Sequence, residues 1–180
     1  GDAVTDFKVG DAVFGLVNFP GKGNAYAEYV AAPAAHLTLK PENISHQEAA
    51  SATLAALIAW QALVGKGEVQ SGDKVFIHAA AGGVGHYATQ IAKYFGAYVI
   101  GIASPENKAF VLSNGVDQYI DYTTENFQEL VSNVAFVLDA VGGDTLLKSL
   151  NVMKEGGTII TITSMSIPDE VAEKAASKNI

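Results

Sequence analysis

The sequence predicts an α/β protein: a doubly wound parallel sheet of about five strands, preceded by a short antiparallel β segment. From Gly72-Asp73 onward, apolar runs of strand length alternate with segments of helical period, the signature of βαβ units whose sheet is covered on both faces. One of these runs, Lys74–Ala79, leads straight into a cluster of glycines and then a helical segment. The 180 residues are 49% hydrophobic and 17% charged, with 18 glycines, a mix that suits buried strands and excludes a largely disordered chain.

The first 44 residues read as β. Short runs at Ala12–Val17, Ala25–Ala31 and His36–Leu39 are separated by turn signals, Asn18–Asn24 and Pro33, as in antiparallel strands. At Ser45 the period changes, dividing the chain into segments 1–44 and 45–180. Ser45-His-Gln-Glu48 has the form of a capping box, in which hydroxyl and carboxylate satisfy reciprocal backbone donors, and the Ala/Leu-rich stretch behind it reads as a helix to Gly65. The parallel strands are expected at Lys74–Ala79, Tyr98–Ala103, Gln118–Ile120, Ala135–Asp139 and Thr158–Thr163. Helices are expected at Val84–Phe95, Pro105–Ser113, Thr124–Val131, Thr145–Met153 and Pro168–Ser177. Gly96, Gly115 and Gly156 stand where helices end, and Pro105 and Pro168 where helices begin, the ordinary preferences of both residues.

Charge and composition narrow the function classes. Eleven cations, all lysine, stand against 19 acids for a net charge of −8, the opposite of the basic stripe that neutralises nucleic-acid phosphates. With no cysteine in the chain, disulfides, thiol redox chemistry and thiolate zinc sites are excluded. No two of the histidines His36, His46, His78 and His86 stand three or four apart, so no helical metal pair is expected. The apolar stretch Ala49–Val64 is interrupted by Ser51, Thr53 and Gln61 and is not expected to span a membrane. No secretory leader is recognisable, so the expected location is cytoplasmic. The opening Gly1-Asp2-Ala3-Val4 is not a natural start, and the sequence reads as a segment of a longer chain.

The glycine cluster carries the chemistry. In Ala80-x-Gly82-x-x-Gly85, small residues follow a buried strand and open a helix, the setting of a dinucleotide-binding (Rossmann-type) loop. Gly82 and Gly83 would let the backbone approach a pyrophosphate, Gly85 would let helix and strand pack closely, and free N–H groups at the helix start attract an anion. The other reading is a tight strand-to-helix turn with no ligand. At the end of the next strand, where an NAD site places an acid on the ribose, this chain has Ser104, with Lys108 one helical turn on. Unit charges about 4 Å apart interact by ~4 kcal/mol at an effective dielectric near 20. A lysine in place of an acid therefore favours NADPH over NADH. Glu106 lies close by, and Lys108 could also be a solvated helix charge.

Four further segments carry a resemblance. Val9-Gly-Asp-Ala-Val-Phe-Gly15, Tyr26-Ala-Glu-Tyr-Val30, Leu54-Ala-Ala-Leu-Ile-Ala-Trp-Gln-Ala-Leu63 and Val137-Leu-Asp-Ala-Val-Gly-Gly143 resemble, in order, motifs of the zinc-independent quinone oxidoreductase branch of the medium-chain dehydrogenase/reductase superfamily. The resemblance covers essentially the whole chain. It implies that residues 1–44 are a remnant of a GroES-like catalytic domain and 45–180 an incomplete Rossmann domain lacking its last strand. It also implies hydride transfer from NADPH, without zinc, to a small-molecule quinone or α,β-unsaturated carbonyl compound, and a homodimer for the full-length protein.

Carried over by position, Ala81, Gly82, Gly83 and Val84 face the pyrophosphate, while Ser104, Lys108 and Tyr122 surround the 2′-phosphate. Val141, Gly142, Thr163 and Ser164 line the path from adenine to nicotinamide, although Tyr122 and Thr163 also suit ordinary strand-end roles. Asn18, Phe19 and Ile58, with Phe14, are candidates for a substrate cleft wall, or are plain loop and core residues. Ile58 departs from the family pattern, which has threonine there, so a polar contact is missing. No proton donor stands out, leaving catalysis to rest on placing the hydride against substrate in a dry cleft. The alternative is a dinucleotide-binding module without turnover. Short-chain dehydrogenases are set aside because no tyrosine is followed four residues later by lysine.

Overall fold

The computed structural model describes residues 3–164 and 166–180, so Gly1 and Asp2 of the expected first segment lie outside the described residues. Two compact units divide the chain, Gly1–Leu57 and Ile58–Ile180.

In the first unit, β1 (Val13–Gly15) pairs antiparallel with β2 (Leu37–Leu39). Gly15 is required at this crossing, since a Cβ would collide with the His36 carbonyl. The expected strand Ala25–Ala31 does not form; the segment runs through bends, with Tyr26 and Tyr29 almost fully exposed. Alternating aromatic and β-branched residues favour a strand only where a neighbour takes up its backbone groups, and no described residue pairs with this segment. Ser45 builds the expected capping box: its N–H donates to Glu48 Oε2 at 2.7 Å and its Oγ accepts from the Glu48 N–H at 3.1 Å. The Ser45 N–H and hydroxyl, both donating to Glu48 Oε2, hold its carboxyl below its ordinary range, and the box starts α1 (His46–Trp60).

The helical path continues from α1 as a wider π turn, Gln61–Lys66. The whole run His46–Lys66 is 21 residues with mean hydropathy 1.3, long and apolar enough to cross a membrane by length and composition alone. Its end is instead a core element of the second unit, where Ala59, Ala62 and Leu63 are buried against Val75, Ile77 and Phe136.

The second unit is the expected parallel sheet. Its strands are β3 (Lys74–Ile77), β4 (Tyr98–Ala103), β5 (Gln118–Asp121), β6 (Val134–Asp139) and β7 (Met153–Thr161), in spatial order β5-β4-β3-β6-β7 and all parallel. The order reverses between β3 and β6, a topological switch point of the kind where open α/β sheets bind ligands. On one face, α2 (Gly83–Tyr94) buries Ala88 and Ala92 against Val75, Ile77 and Val99. On the other, Phe76, Ile100, Ile102, Ile120 and Val137 pack with Phe127 of the short α4 (Phe127–Leu130). The remaining helices are α3 (Lys108–Ser113), α5 (Asp144–Ser149) and α6 (Asp169–Ser177).

Several boundaries differ from expectation: β3 ends at Ile77 rather than Ala79 and α5 at Ser149 rather than Met153, and others differ for local reasons that the hydrogen bonds and pairing show. Helix α4 starts at Phe127 rather than Thr124, because Asp121 accepts from the Thr123 N–H and hydroxyl at 2.9 and 2.7 Å and holds the chain in a turn. Asn126 then caps the helix by accepting from the Gln128 N–H. The strand expected at Thr158–Thr163 begins at Met153 and ends at Thr161. Within it Val134 pairs with Met153 but Phe136 with Thr158, so residues 154–157 bulge out. Gly156, with φ +72°, serves this bulge and not a helix end.

Candidate functional site

The C-terminal ends of β3, β4, β5, β6 and β7 converge on one edge of the second unit, and the site is built from the turns that leave them. After β3 the backbone of His78 still donates to the Leu138 carbonyl at 3.0 Å, and Ala79 then turns sharply with φ +49°. That conformation is uncommon for a residue with a Cβ. Its carbonyl accepts from the Gly82 N–H at 2.8 Å, closing the turn that launches α2. Gly85 is indispensable to the launch, because a Cβ there would lie 2.2 Å from the Ala79 oxygen and 2.8 Å from Ala80 Cα. Gly83 is the opposite case: a Cβ there meets nothing within 4 Å. No side chain caps α2, so the N–H groups of its first turn lack the usual acceptor. Ala81 and Val84 are half-buried beside the exposed Gly82 and Gly83.

Ser104 follows β4 and is buried; its Oγ accepts from Asn107 Nδ2 at 2.9 Å. Lys108 is exposed, with its ammonium 5.3 Å from the centre of the Tyr119 ring. Acids crowd this corner. Desolvation first, then Asp121, Glu125 and Glu106, push the Tyr119 hydroxyl up. The Asp121 carboxyl is held down mainly by its hydrogen bonds from Thr123, with Lys108 a smaller pull. Tyr122 is largely exposed.

After β6, Asp139 ties the next turn together. Fully buried, it accepts from the N–H groups of Val141 and Gly142 at 3.2 and 3.0 Å and from Thr161 Oγ1 at 2.8 Å. Thr161 Oγ1 in turn lies 3.0 Å from Thr163 Oγ1, although Thr163 and Ser164 are exposed and beyond the strand end. Gly142 has φ +78°, the left-handed region that favours glycine, and a Cβ there would press on the Thr163 side chain, 2.6 Å from its Oγ1.

Between these turns, on the face opposite α2, lies a cavity of about 650 Å³, within the range of small-molecule sites. Ile102, Phe127 and Val141 give it apolar walls, and Ala79 links it to the glycine turn. Its polar groups come from His78, Tyr122, Glu125, Asn126, Thr145 and Lys148. The structure thus brings Tyr122 and Val141 together in one cavity whose wall includes Ala79. Asn18 and Phe19 belong to the first unit, where the Asn18 N–H donates to His36 Nδ1 and Phe19 is exposed; Ile58, half-buried, opens the second. His78 and Asp139 are the residues that the motif reading passed over. A charged residue at the end of an apolar strand, directly before Ala-Val-Gly-Gly, is the available signal for the second.

A doubly wound sheet with a glycine turn, an uncapped helix start and a cavity at its switch point defines the dinucleotide-binding class of α/β domains. Comparison with known proteins is consistent with that class. Residues 83–178 match the zinc-binding dehydrogenase family. Over 175 residues the chain is 36% identical to 2-methylene-furan-3-one reductase of Solanum lycopersicum and 37% identical to NADPH-dependent alkenal/one oxidoreductase, chloroplastic, of Arabidopsis thaliana. Each match takes in 93% of this chain but only 44% and 45% of the relative. Among solved structures, the quinone oxidoreductase from Coxiella burnetii superposes with a TM-score of 0.91 at 41% identity, covering 99% of this chain and 56% of that one. The chain belongs to the zinc-binding dehydrogenase family, within the medium-chain dehydrogenase/reductase superfamily, and spans about half the length of the curated relatives it matches. The family's description names zinc; this chain has no cysteine, and the described residues contain no cluster of three or more His, Asp or Glu suited to a metal.

Proposed function

We propose that the second unit binds NADPH along the C-terminal edge of its sheet, and that the whole protein is an oxidoreductase acting on a quinone or α,β-unsaturated carbonyl compound. The observation that carries this reading is the continuity of the Ala79–Val84 turn with the cavity, since an anion-attracting helix start and an apolar pocket share Ala79. A pyrophosphate joined to an adenosine has the same two-part chemistry. The open space over Gly83 is a cradle that a Cβ would fill. The names of the relatives, an NADPH-dependent alkenal/one oxidoreductase and a quinone oxidoreductase, point the same way.

When bound, NADPH supplies a hydride at its nicotinamide ring. The chain's own residues bind and orient. The backbone of Ala81, Gly82, Gly83 and Val84 receives the pyrophosphate, and Ser104, Lys108 and Tyr122 meet the 2′-phosphate. Val141, Gly142, Thr163 and Ser164 border the path toward the nicotinamide, the first two held by the Asp139 bonds and Thr163 linked to them through Thr161. Because Glu106, Asp121 and Glu125 stand near Lys108, the lysine offsets local negative charge as well as attracting phosphate, and the preference over NADH is modest. The candidate cleft residues Asn18, Phe19 and Ile58 have no assigned contact.

Titrating the chain with NADPH by dihydronicotinamide fluorescence tests binding, and absence of saturable binding would sink the reading. Oxidation of NADPH by 1,4-benzoquinone tests turnover. Since the chain spans less than half of its curated relatives, binding without oxidation assigns it the role of a dinucleotide-binding module, with turnover belonging to the whole protein.

A further inference from the structure

We infer that His78 reads the base of the bound dinucleotide: its Nδ1 accepts a hydrogen bond from the exocyclic amine of adenine, so the cavity selects an amino-purine over a keto-purine. This rests on the dinucleotide reading above and extends it to a specificity-determining residue. His78 is 1% exposed and lines the cavity, its ring packed against both Phe76 and Phe127 at centroid distances of 4.3 and 5.3 Å, the two phenyl rings themselves 5.2 Å apart. Nε2 lies 2.8 Å from Ser149 Oγ, and that hydroxyl donates its proton to the Thr145 carbonyl at 2.7 Å. A hydroxyl has one proton to give, so Ser149 must accept from the imidazole, which places the ring proton on Nε2. Nδ1 is left with a bare lone pair.

Burial keeps the ring neutral, its pKa pushed down to about 4, so Nδ1 stays an acceptor at neutral pH. Among the described residues Nδ1 has no hydrogen-bond partner, yet no fully buried side-chain nitrogen or oxygen is left unpartnered. Nδ1 is therefore not sealed into the core, and the open space beside His78 is the cavity. An acceptor presented inside apolar walls is matched by a ligand donor and opposed by a ligand acceptor. Adenine offers an N–H donor at its six-position. Hypoxanthine offers a carbonyl oxygen there, setting lone pair against lone pair.

The test compares NADPH with its deamino form, which carries hypoxanthine in place of adenine, by fluorescence titration. The wild-type chain is expected to bind NADPH about tenfold or more tightly than the deamino form, and His78→Phe to bring the two within about twofold. Because that variant could lose its fold, ¹⁵N NMR of the imidazole in the wild-type chain provides an independent reading. Its Nδ1 resonance should move upfield on adding NADPH and stay in place with the deamino form. Equal affinities in the wild type, an unchanged ratio in folded His78→Phe, or an unmoved Nδ1 resonance with NADPH bound would overturn the inference while leaving dinucleotide binding intact. If neither nucleotide binds, the dinucleotide reading itself fails and the inference falls with it.

Discussion

Replacing Gly85 with alanine should separate α2 from the sheet it covers. The added Cβ would lie 2.2 Å from the Ala79 oxygen and 2.8 Å from Ala80 Cα, against an ordinary contact distance that begins at 3.4 Å. Both obstacles are backbone, so relief requires the start of the helix to retreat by about 1.2 Å, and overpacking of this kind costs about 1–3 kcal/mol. The retreat also loosens Ala88 and Ala92, which are fully buried against the sheet. For a chain of this size such a cost lowers the melting temperature by roughly 2–12 °C, measurable by thermal unfolding followed by circular dichroism. Gly83→Ala is the control. Its Cβ meets nothing and it opens the helix, where alanine is favoured over glycine by up to about 1 kcal/mol. The expected result is a lower melting temperature for Gly85→Ala and an unchanged or higher one for Gly83→Ala. Equal melting temperatures would refute the close-packing account of the turn.

The same Gly83→Ala chain, though stable, should bind NADPH at least about tenfold more weakly if its methyl occupies the phosphate cradle; unchanged affinity removes Gly83 from the site. Lys108→Ala should weaken NADPH by about fivefold with little effect on NADH, the size of one exposed charge pair, and equal losses for the two cofactors would exclude a 2′-phosphate role. Burial lowers the His78 imidazole from 6.5 to about 4, with Asp139 a smaller opposing influence. The unfolded chain therefore takes up this proton at higher pH than the folded one. Stability from this source is complete above about pH 6.5 and falls by about 3 kcal/mol as pH approaches 4. Urea midpoints between pH 7 and 4.5 should show this slope, and His78→Phe should flatten it. Ser149→Ala strands the His78 Nε2 proton in the core and should cost about 1–3 kcal/mol; a urea midpoint equal to wild type would contradict the assigned bond.

Local chemistry made most of the fold readable. Ser45 and Glu48 announce α1 through bonds only three residues apart, and the strand Tyr98–Ala103 has the expected bounds because its apolar run is unbroken. Where the reading missed, a competing local interaction or an absent neighbour decided. The Asp121 turn delayed α4, a bulge claimed Gly156, and the segment Ala25–Ala31 found no strand to pair with. The glycine turn was legible because all its parts lie between Ala79 and Gly85. The His78 pair with Ser149 was not, because 71 residues separate the partners and they meet only once α5 packs on β6, beside the end of β3. The link from Asp139 to Thr161 likewise exists only once β6 and β7 lie side by side.

The Asp139 clamp carries a thermodynamic consequence. A loop that is loose when empty spends part of its interaction energy on becoming ordered. Here the Val141–Gly142 turn and the end of β7 are already fastened to one buried carboxylate. Association at this edge then forfeits little conformational entropy, and the heat-capacity change on binding should reflect the area the ligand covers rather than any folding of the protein around it.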